Sequence, residues 1–224
     1  MILIVTPDVY QEYSWELSEM FRLRHRVFKE RMGWVVSSEN GEERDQFDDC
    51  KPTYVLAFGK SSKLVGCMRL LPTTGPYMLK DVFPKLLNDR TPPSDPNIWE
   101  CSRLGVEGED SHRTGLAAKA MTSAELFCGA AEFFLSRGIH SALGVFDASA
   151  GRVFARFEIR PEWKAGPYQI NDSSAMAGMF KINQQGLKRT RAIAGISSSV
   201  LSQPPFPAAS ALPNSTAYLT ANPQ

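Results

Sequence analysis

The sequence predicts an α/β fold in which helices cover both faces of one mixed sheet. Two observations predict it: a strand hairpin in the first half of the chain and strand–helix alternation in the second. The chain has 224 residues, 43% of them hydrophobic and 22% charged, which fits one sizeable domain. We place that domain at residues 1–194. Residues 195–224 carry no charge and five prolines, which favours a tail or extension outside the core.

The first half of the chain is predicted to hold a strand, a long helix, a loop and a hairpin. Residues 2–5 are apolar enough for a short strand, and residues 10–30 carry apolar side chains at helical spacing. Residues 35–52 are polar and acidic, which predicts a long mobile loop. The runs at 53–59 and 63–72 flank a polar turn and predict two antiparallel strands.

The second half alternates between strands and helices. A short helix around 80–88 and a proline-rich loop precede the strand at 98–106. A long helix is expected from a cap at Ser111 or Thr114 to about Arg137, with Gly138 as the left-handed residue after it. In the stretch HRTGLA, residues 112–117, capping is the expected role and a phosphate-binding loop the alternative. The remaining predicted elements are a strand at 139–146, a helix at 148–157, strands at 167–170 and 175–182, and a helix through about Ala194.

Charge and cysteine usage argue against several classes of protein. A formal net charge of +1 gives no support for nucleic-acid binding. No apolar run is long enough for a signal peptide or a membrane span, which predicts a cytoplasmic protein. The cysteines lie far apart, without the spacing of metal ligands, so we expect free thiols and no metal site. Their positions are Cys50, Cys67, Cys101 and Cys128.

Several charged residues stand where a core side chain is expected. Arg24 falls in the middle of the apolar face of the first helix, among Tyr13, Leu17, Met20, Phe21, Val27 and Phe28. Arg69 lies between Cys67 and Leu71 on one face of a strand, and Glu100 and Arg103 interrupt another buried strand.

A buried ion that lacks a partner costs several kcal/mol, so these charges should meet. We therefore expect one polar cluster in which three arginines face three carboxylates: Arg24, Arg69 and Arg103 against Asp45, Asp48 and Glu100. A buried salt-bridge network without chemistry and an active site both remain open from charge placement alone. Glu100 and Arg103 are three residues apart and would point to opposite faces of a regular strand. If both serve one site, we expect a bulge at Cys101–Ser102.

The same positions resemble the acyl-homoserine-lactone synthases, the LuxI-type autoinducer synthases of bacterial quorum sensing. The segments that carry the resemblance are RHRVFKERMGW, DQFD, GCMRLLPTTGPYML, DVFP and WECSR. They supply Arg24, Phe28, Trp34, Asp45, Asp48, Arg69, Phe83, Glu100 and Arg103.

The resemblance implies a three-layer, largely antiparallel fold similar to the N-acetyltransferase superfamily, with a V-shaped cleft between two central strands. It implies an enzyme that joins S-adenosylmethionine to an acyl group carried on acyl carrier protein or coenzyme A. The products would be an N-acyl-homoserine lactone and 5′-methylthioadenosine, with no tightly bound cofactor. The oligomeric state stays open between a monomer and a weak dimer.

The resemblance also implies roles for single residues. Glu100 would be the base, and Arg69, Asp45 and Asp48 would complete the catalytic set. S-adenosylmethionine would be bound by Arg24, Phe28, Trp34, Phe83 and Arg103, although core packing remains the alternative for the three aromatic residues. The acyl pocket would contain Cys101, Leu104, Gly144 and Phe146. Arg152 and Arg156, four apart on a helix, would meet the acidic carrier protein, unless they form an ordinary solvated face.

The strand after the long helix also carries an expectation about the acyl group. In this family a threonine on the strand after the long helix is associated with 3-oxoacyl donors, and the stretch IHSALGVFDASAG contains none. Ser141 is the nearest hydroxyl but lies early in the strand. We therefore expect an acyl group without a 3-oxo substituent. Beside Gly144 it could be a medium, branched or aryl chain, with Phe146 closing the far end.

Two other functions remain alternatives: an N-acetyltransferase that uses acetyl-CoA, and a non-catalytic small-molecule-binding module. The pattern from Arg24 to Asp48 favours the synthase over a plain acetyltransferase, which has no need of it. An intact pair of Glu100 and Arg103 argues against a protein that has lost catalysis.

Overall fold

The structure is a computed structural model that describes residues 1–107, 116–170 and 173–202. Along the chain its strands and helices are β1 (Ile2–Val5), α1 (Ser14–Arg24), β2 (Ser38–Glu39), β3 (Glu42–Glu43), β4 (Thr53–Phe58), β5 (Leu64–Pro72), α2 (Met78–Asp81), β6 (Ile98–Val106), α3 (Leu116–Ser136), β7 (Ser141–Asp147), α4 (Ala148–Arg156), β8 (Trp163–Ile170), β9 (Ser173–Lys181) and α5 (Gln184–Ala194). The predicted cap at Ser111 or Thr114 and most of the stretch HRTGLA lie outside the described residues.

One seven-stranded sheet forms the centre, in the order β1-β4-β5-β6-β7-β9-β8. Only β6 and β7 run parallel among these pairs; the other neighbours are antiparallel. The register of β6 and β7 comprises three pairs and ends at Glu100 and Leu143. Beyond that point the facing edges of the two strands separate, and this opens the V-shaped cleft that the resemblance implied.

Helices cover both faces of the sheet, as predicted. On one face, α1 packs against β5 and its apolar side chains join those of β1 and β4. On the other face, α3 packs across β1, β4 and β5, and α5 packs against α3. The predicted apolar face of the first helix is confirmed: its six apolar residues are at most 8% exposed, and Arg24 among them is 0% exposed.

The predicted helices differ from the observed ones at their ends. The first helix begins at Ser14, after a 3₁₀ turn at Pro7–Val9, and continues beyond Arg24 as a π-helix over His25–Arg31. The wider π turns are uncommon and often occur at functional sites. The helix predicted at 80–88 is two short pieces, α2 and a 3₁₀ turn at Pro84–Leu87. At the end of α3, Gly138 adopts the expected left-handed conformation with φ of 71°.

The segment predicted as a mobile loop, residues 35–52, contains the small hairpin β2–β3. Its residues Glu43 and Phe47 are buried, at 0% and 2% exposure. This part of the prediction was wrong because a two-residue strand leaves no periodic pattern in a sequence, whereas buried ion pairs can hold such a segment in place.

The described chain continues past the predicted boundary at residue 194. Past α5, the chain returns to the outer edge of β1, where Ile2 N–H donates to Val200 and Ser202 N–H donates to Ile2. Glu132 on α3 holds the same segment through Ser199 and the N–H of Val200. Residues 199–202 therefore belong to the folded domain, and the part of the tail after residue 202 lies outside the described residues.

Among the described residues, no helix has both the length and the apolar character needed to cross a membrane.

Candidate active site

A cleft of about 1870 Å³ passes between β6 and β7 and opens on both faces of the sheet. On the side of α1 and α2 its lining contains the polar and charged residues Asp45, Glu100, Ser102 and Arg103 beside Met78, and we call this part the charged arm. On the side of α3 its lining is hydrophobic, and we call this part the apolar arm: Ala120, Phe127, Ala131, Phe134, Gly144 and Phe146. One site can therefore receive a charged group on one face of the sheet and an apolar group on the other.

Arg24 of α1 is fully buried beneath the charged arm and pairs with two carboxylates. Its Nε donates to Glu43 at 2.5 Å, and its two terminal nitrogens donate to the two oxygens of Asp48 at 2.7 and 2.9 Å. Burial opposes the charge of Arg24, but hydrogen bonds and attraction from Asp48 and Glu43 outweigh burial and raise its pKa. The guanidinium of Arg24 therefore holds residues 43–48 against α1.

Asp48 connects Arg24 to the central sheet. It accepts a hydrogen bond from Arg69 at 2.9 Å and another from the hydroxyl of Tyr54 at 2.8 Å. Burial would raise the pKa of Asp48, yet the bonds and charges of Arg24 and Arg69 hold it below its ordinary value. The carboxylate is therefore ionised in the folded protein.

Arg69 and Arg103 complete the cluster around Asp45. Arg69 donates to both oxygens of Asp45, at 2.5 and 3.1 Å, and its Nε donates to Ser102 at 3.1 Å. Arg103 pairs with Asp45 at 2.7 Å. Asp45 and Arg103 are the members that reach the cleft, with side chains 17% and 10% exposed. A bound molecule would touch these two residues first.

The third carboxylate of the cluster is Glu43, where Glu100 had been predicted. Glu43 is fully buried and bridges Arg24 to Arg103, accepting from Arg103 at 3.0 and 3.1 Å. Three carboxylates therefore pair with the three guanidinium groups, as expected. The third carboxylate is that of Glu43 and not that of Glu100. No periodic pattern in the sequence identifies Glu43 as a buried side chain, because its strand is only two residues long.

Glu100 has main-chain partners instead. Its two carboxylate oxygens accept hydrogen bonds from the N–H groups of Met78 and Leu79, at 2.9 and 2.7 Å, at the start of α2. Burial raises the pKa of Glu100 to about 7, against the two N–H groups and Arg69, which lower it. A buried carboxyl group with this pKa can exchange a proton near neutral pH.

A β-bulge brings Glu100 and Arg103 to the same arm, as expected, but it lies further along the strand. The register runs regularly from Trp99 to Ser102, and then Arg103 and Leu104 together oppose the single residue Met68. Arg103 has φ of 52°, in the left-handed region. The bulge at 103–104 turns Arg103 towards the charged arm. The predicted position, Cys101–Ser102, was wrong because the sequence does not show which residue takes the left-handed conformation.

The three predicted aromatic residues lie at the charged side of the cleft. Phe28 is 2% exposed and stacks on Trp34, with ring centroids 5.2 Å apart and an interplanar angle of 11°. The Arg103 guanidinium lies 5.7 Å from the centroid of Phe28. Phe83 packs beside Leu143 and also lines the cleft. Trp34 is the partly exposed member of the stacked pair, so it presents the accessible aromatic surface.

The four residues predicted for the acyl pocket all line the cleft. Cys101 and Leu104 pack with the hydrophobic cluster under α3. A Cβ at Gly144 would meet the carbonyl oxygen of Cys101 at 2.7 Å. The absence of a side chain at this position lets β7 approach β6 closely. Ser141 hydrogen-bonds to His140 and is absent from the lining described for the cleft, whereas Ser123 on α3 lines it.

The arginines predicted for docking lie on α4, which begins with Asp147 as its cap. Arg152 and Arg156 are exposed and stand at the mouth of the cleft. Lys119, Arg160, Lys181 and Arg189 line the same cleft. Asp147 and Glu158 also line it, so the described lining near α4 has more positive than negative side chains.

Comparison with known proteins places these features in a family. Residues 8–190 match the sequence family described as autoinducer synthase. The chain belongs to the autoinducer synthase family. An acyl-homoserine-lactone synthase of Aliivibrio fischeri is 35% identical over 187 residues, which are 82% of this chain and 95% of that protein. One of Agrobacterium fabrum is 35% identical over 188 residues, 84% of this chain and 89% of that protein.

Solved structures agree with this membership. A CoA-dependent acyl-homoserine lactone synthase, BjaI, solved with SAM and isopentyl-CoA, has a TM-score of 0.78 and 31% identity, covering 91% of this chain and 92% of that one. The synthase LasI has a TM-score of 0.73 and 30% identity, covering 87% and 93%. A Lactobacillus plantarum protein described as an N-acetyltransferase aligns with a TM-score of 0.54 at 16% identity, which is a likeness of fold alone. The family and fold predicted from the sequence are thus confirmed for this autoinducer synthase.

Proposed function

We propose that Glu100 is the general base for acyl transfer in this synthase and that the two arms of the cleft hold its two substrates. The reaction joins an acyl group from a thioester to the amine of S-adenosylmethionine and then closes the lactone. The observation that carries the proposal is the position of Glu100, a buried carboxyl group with a pKa of about 7 where the charged and apolar arms meet.

Acyl transfer requires a neutral amine as nucleophile. A free α-amine has a pKa of about 8, so a base with a pKa near 7 can remove its proton with little cost. Glu100 is completely buried, and we therefore assign the transfer to a water between the amine and the carboxylate. The amine then attacks the thioester carbonyl. Main-chain N–H groups on the separated edges of β6 and β7 would stabilise the oxyanion before the thiolate leaves.

Lactone formation needs geometry more than acid–base chemistry. The substrate carboxylate attacks the carbon attached to the sulfonium sulfur, and the leaving group departs as a neutral thioether. No general acid is required, and the contribution of the site is to hold nucleophile and carbon near contact. Because Arg103 and Asp45 reach the cleft, we assign the carboxylate of the substrate to Arg103 and its positive groups to Asp45 and Trp34.

The buried members of the cluster position these two residues. Arg24, Arg69, Glu43 and Asp48 hold the segment of Asp45 against the sheet through the bonds described above. They are positioning residues, since their side chains are at most 4% exposed. Phe28 supports Trp34, and Phe83 borders the charged arm.

The acyl donor carries negative charge next to its pantetheine arm, whether it is acyl carrier protein or coenzyme A. We propose that Arg152 and Arg156 meet that charge at the mouth of the cleft. The proposal rests on their exposure and on the positive lining around them. We also place the enzyme in the cytoplasm, since its four cysteines are free thiols.

Replacing Arg152 and Arg156 together with glutamate should raise KM for the acyl donor and leave KM for S-adenosylmethionine unchanged. Each lost attraction at an exposed site is worth about 1 kcal/mol, or about fivefold in affinity. The effect should shrink as salt is raised. Initial rates at several salt concentrations measure it, with Lys188→Glu on α5, an exposed residue, as the control. An unchanged donor KM would contradict the assignment.

The apolar arm should disfavour a 3-oxoacyl group. The hydroxyl of Ser123 already donates to the carbonyl of Lys119 at 2.9 Å, and so leaves no hydrogen for a ketone. A buried ketone without a donor costs about 1–3 kcal/mol, which favours the unsubstituted donor about tenfold or more. Competition between an unsubstituted thioester and its 3-oxo partner of equal length measures this. Faster use of the 3-oxo donor would contradict the expectation.

Product analysis tests the proposed function. The purified protein is incubated with S-adenosylmethionine and a panel of acyl-CoA and acyl-carrier-protein thioesters. We expect methylthioadenosine and an acyl-homoserine lactone in equal amounts. Glu100→Gln should form both products more slowly and still in equal amounts, and failure of the wild-type protein to form either with every donor would contradict the function.

A further inference from the structure

Four phenylalanine rings form a wall at one end of the apolar arm. They come from four different elements and are Phe127 of α3, Phe146 of β7, Phe154 of α4 and Phe180 of β9. Phe154 is central: its ring centroid lies 5.2 Å from Phe127, 5.1 Å from Phe146 and 5.1 Å from Phe180. The rings of Phe146 and Phe154 meet edge to face, at an interplanar angle of 81°. We call these four side chains the phenylalanine wall.

The wall faces the cleft. All four rings are partly buried, and all four contribute to the cleft lining. Phe133, also on α3, differs from the four wall rings in its burial. It is 7% exposed and packs against Trp99 and Phe134. The exposed portions of the wall are thus available to a molecule in the apolar arm.

The ring of Phe146 lies close to the main chain at two glycines. Its edge lies 3.3 Å from the position that a Cβ would take at Gly178, and 3.8 Å from that at Gly151. The glycine at position 178 lets β9 approach the ring closely, whereas the distance at Gly151 is an ordinary contact. Contact with the main chain of β9 limits the movement of the ring on that side, and a fixed surface favours ligands that need no rearrangement of the site.

We propose that the phenylalanine wall selects acyl groups that end in an aryl ring. This inference rests on the proposed function, because it concerns the acyl donor of the same reaction. Aromatic rings prefer offset or edge-to-face contacts with centroids 4.5–7 Å apart, and such contacts add to the gain from apolar burial. A wall of rings tilted to one another presents both edges and faces to an aryl guest.

Conformational entropy favours the same substrate class. A straight acyl chain loses freedom at each of its rotatable bonds when it is enclosed, whereas an aryl group carries the same number of carbon atoms with fewer rotatable bonds. The wall therefore prefers an aryl acyl group to a straight chain of equal carbon number, and the chemistry at the thioester is the same for both.

The test compares 3-phenylpropanoyl-CoA with nonanoyl-CoA, which have equal carbon number, by the release of methylthioadenosine. We expect kcat/KM for the aryl donor to be about fivefold higher, the contribution of one or two ring contacts. Phe154→Leu should bring the ratio close to one by lowering kcat/KM for the aryl donor. Phe127→Leu provides a second variant at the edge of the wall, and Phe133→Leu on the same helix should keep the wild-type ratio.

The outcomes separate the two proposals. If the wild-type protein prefers nonanoyl-CoA, or if the ratio survives in both wall variants while nonanoyl turnover shows that they are folded, aryl selection is wrong and the synthase function stands. If the ratio falls equally in Phe133→Leu, the wall is not its source. If no acyl thioester releases methylthioadenosine, the proposed function fails, and the inference fails with it.

Discussion

Replacing Glu100 with glutamine is expected to lower acyl transfer by about 10²–10⁴-fold, the usual contribution of a general base. Glutamine keeps the shape, and its carbonyl oxygen can accept a hydrogen bond from one of the N–H groups of Met78 and Leu79, but its NH2 group accepts none and takes no proton from the amine. The loss should therefore fall on kcat, with little change in KM for S-adenosylmethionine. Initial rates measure it, with the exposed Glu162→Gln as the control. A Glu100→Gln variant with wild-type kcat would contradict the assignment.

The pH dependence gives a second test of the same residue. Because the pKa of Glu100 is raised to about 7, the group is protonated below that pH and acts as a base above it. Wild-type kcat/KM should therefore fall as pH drops through 7. The residual activity of Glu100→Gln should lose this dependence on a group with a pKa of about 7 and follow only the ionisation of the substrate amine, whose pKa is about 8.

The free energy of unfolding should depend on pH in the opposite direction to kcat/KM, falling as pH rises. A carboxyl group whose pKa rises from 4.5 when unfolded to about 7 when folded binds its proton more tightly in the folded state. Its contribution is present in full below pH 4.5 and is lost as pH rises through 7. Glu100→Gln should thus gain stability relative to wild type over this range, and chemical unfolding at several pH values measures the gain.

The largest loss of stability is expected for Arg24→Ala. The substitution leaves Glu43 and Asp48 buried without one of their cations, and breaking a buried pair in this way costs about 3–5 kcal/mol. Activity should fall about 10²-fold or more even well below the melting temperature, because Asp45 loses its fixed position and small displacements at a reacting site have effects of that size.

A deletion of similar cost separates positioning from general destabilisation. Phe58→Ala, in the same hydrophobic cluster as α1, should cost about 3–5 kcal/mol and keep near-normal turnover at low temperature. Differential scanning calorimetry and initial rates at the same temperature provide the comparison. Equal turnover in Arg24→Ala and Phe58→Ala would contradict the role assigned to Arg24.

The buried charges could be predicted from the sequence because they interrupt the periodic spacing of apolar residues in a helix and in a strand. Arg24 stands out on a helical face and Arg69 on a strand face, and both are 0% exposed in the structure. The need for a bulge between Glu100 and Arg103 also followed from strand geometry. Its position did not, because several residues of the strand could have taken the left-handed conformation that Arg103 adopts.

Other features left no readable pattern. Glu43 lies in a hairpin with strands of two residues, too short for alternation to identify a buried side chain. The partners of Glu100 are main-chain N–H groups, which any residue supplies. The phenylalanine wall comes from four separate elements, and its members meet only when the sheet order is known.

A crystal structure with S-adenosylmethionine and an unreactive thioether analogue of the acyl donor would test the central claim most directly. We expect the amine within hydrogen-bond reach of Glu100, directly or through one water, with the carboxylate of S-adenosylmethionine on Arg103. The acyl chain should pass Cys101 and Gly144 into the apolar arm. An amine directed away from Glu100, or both substrates bound on one face of the sheet, would contradict the account.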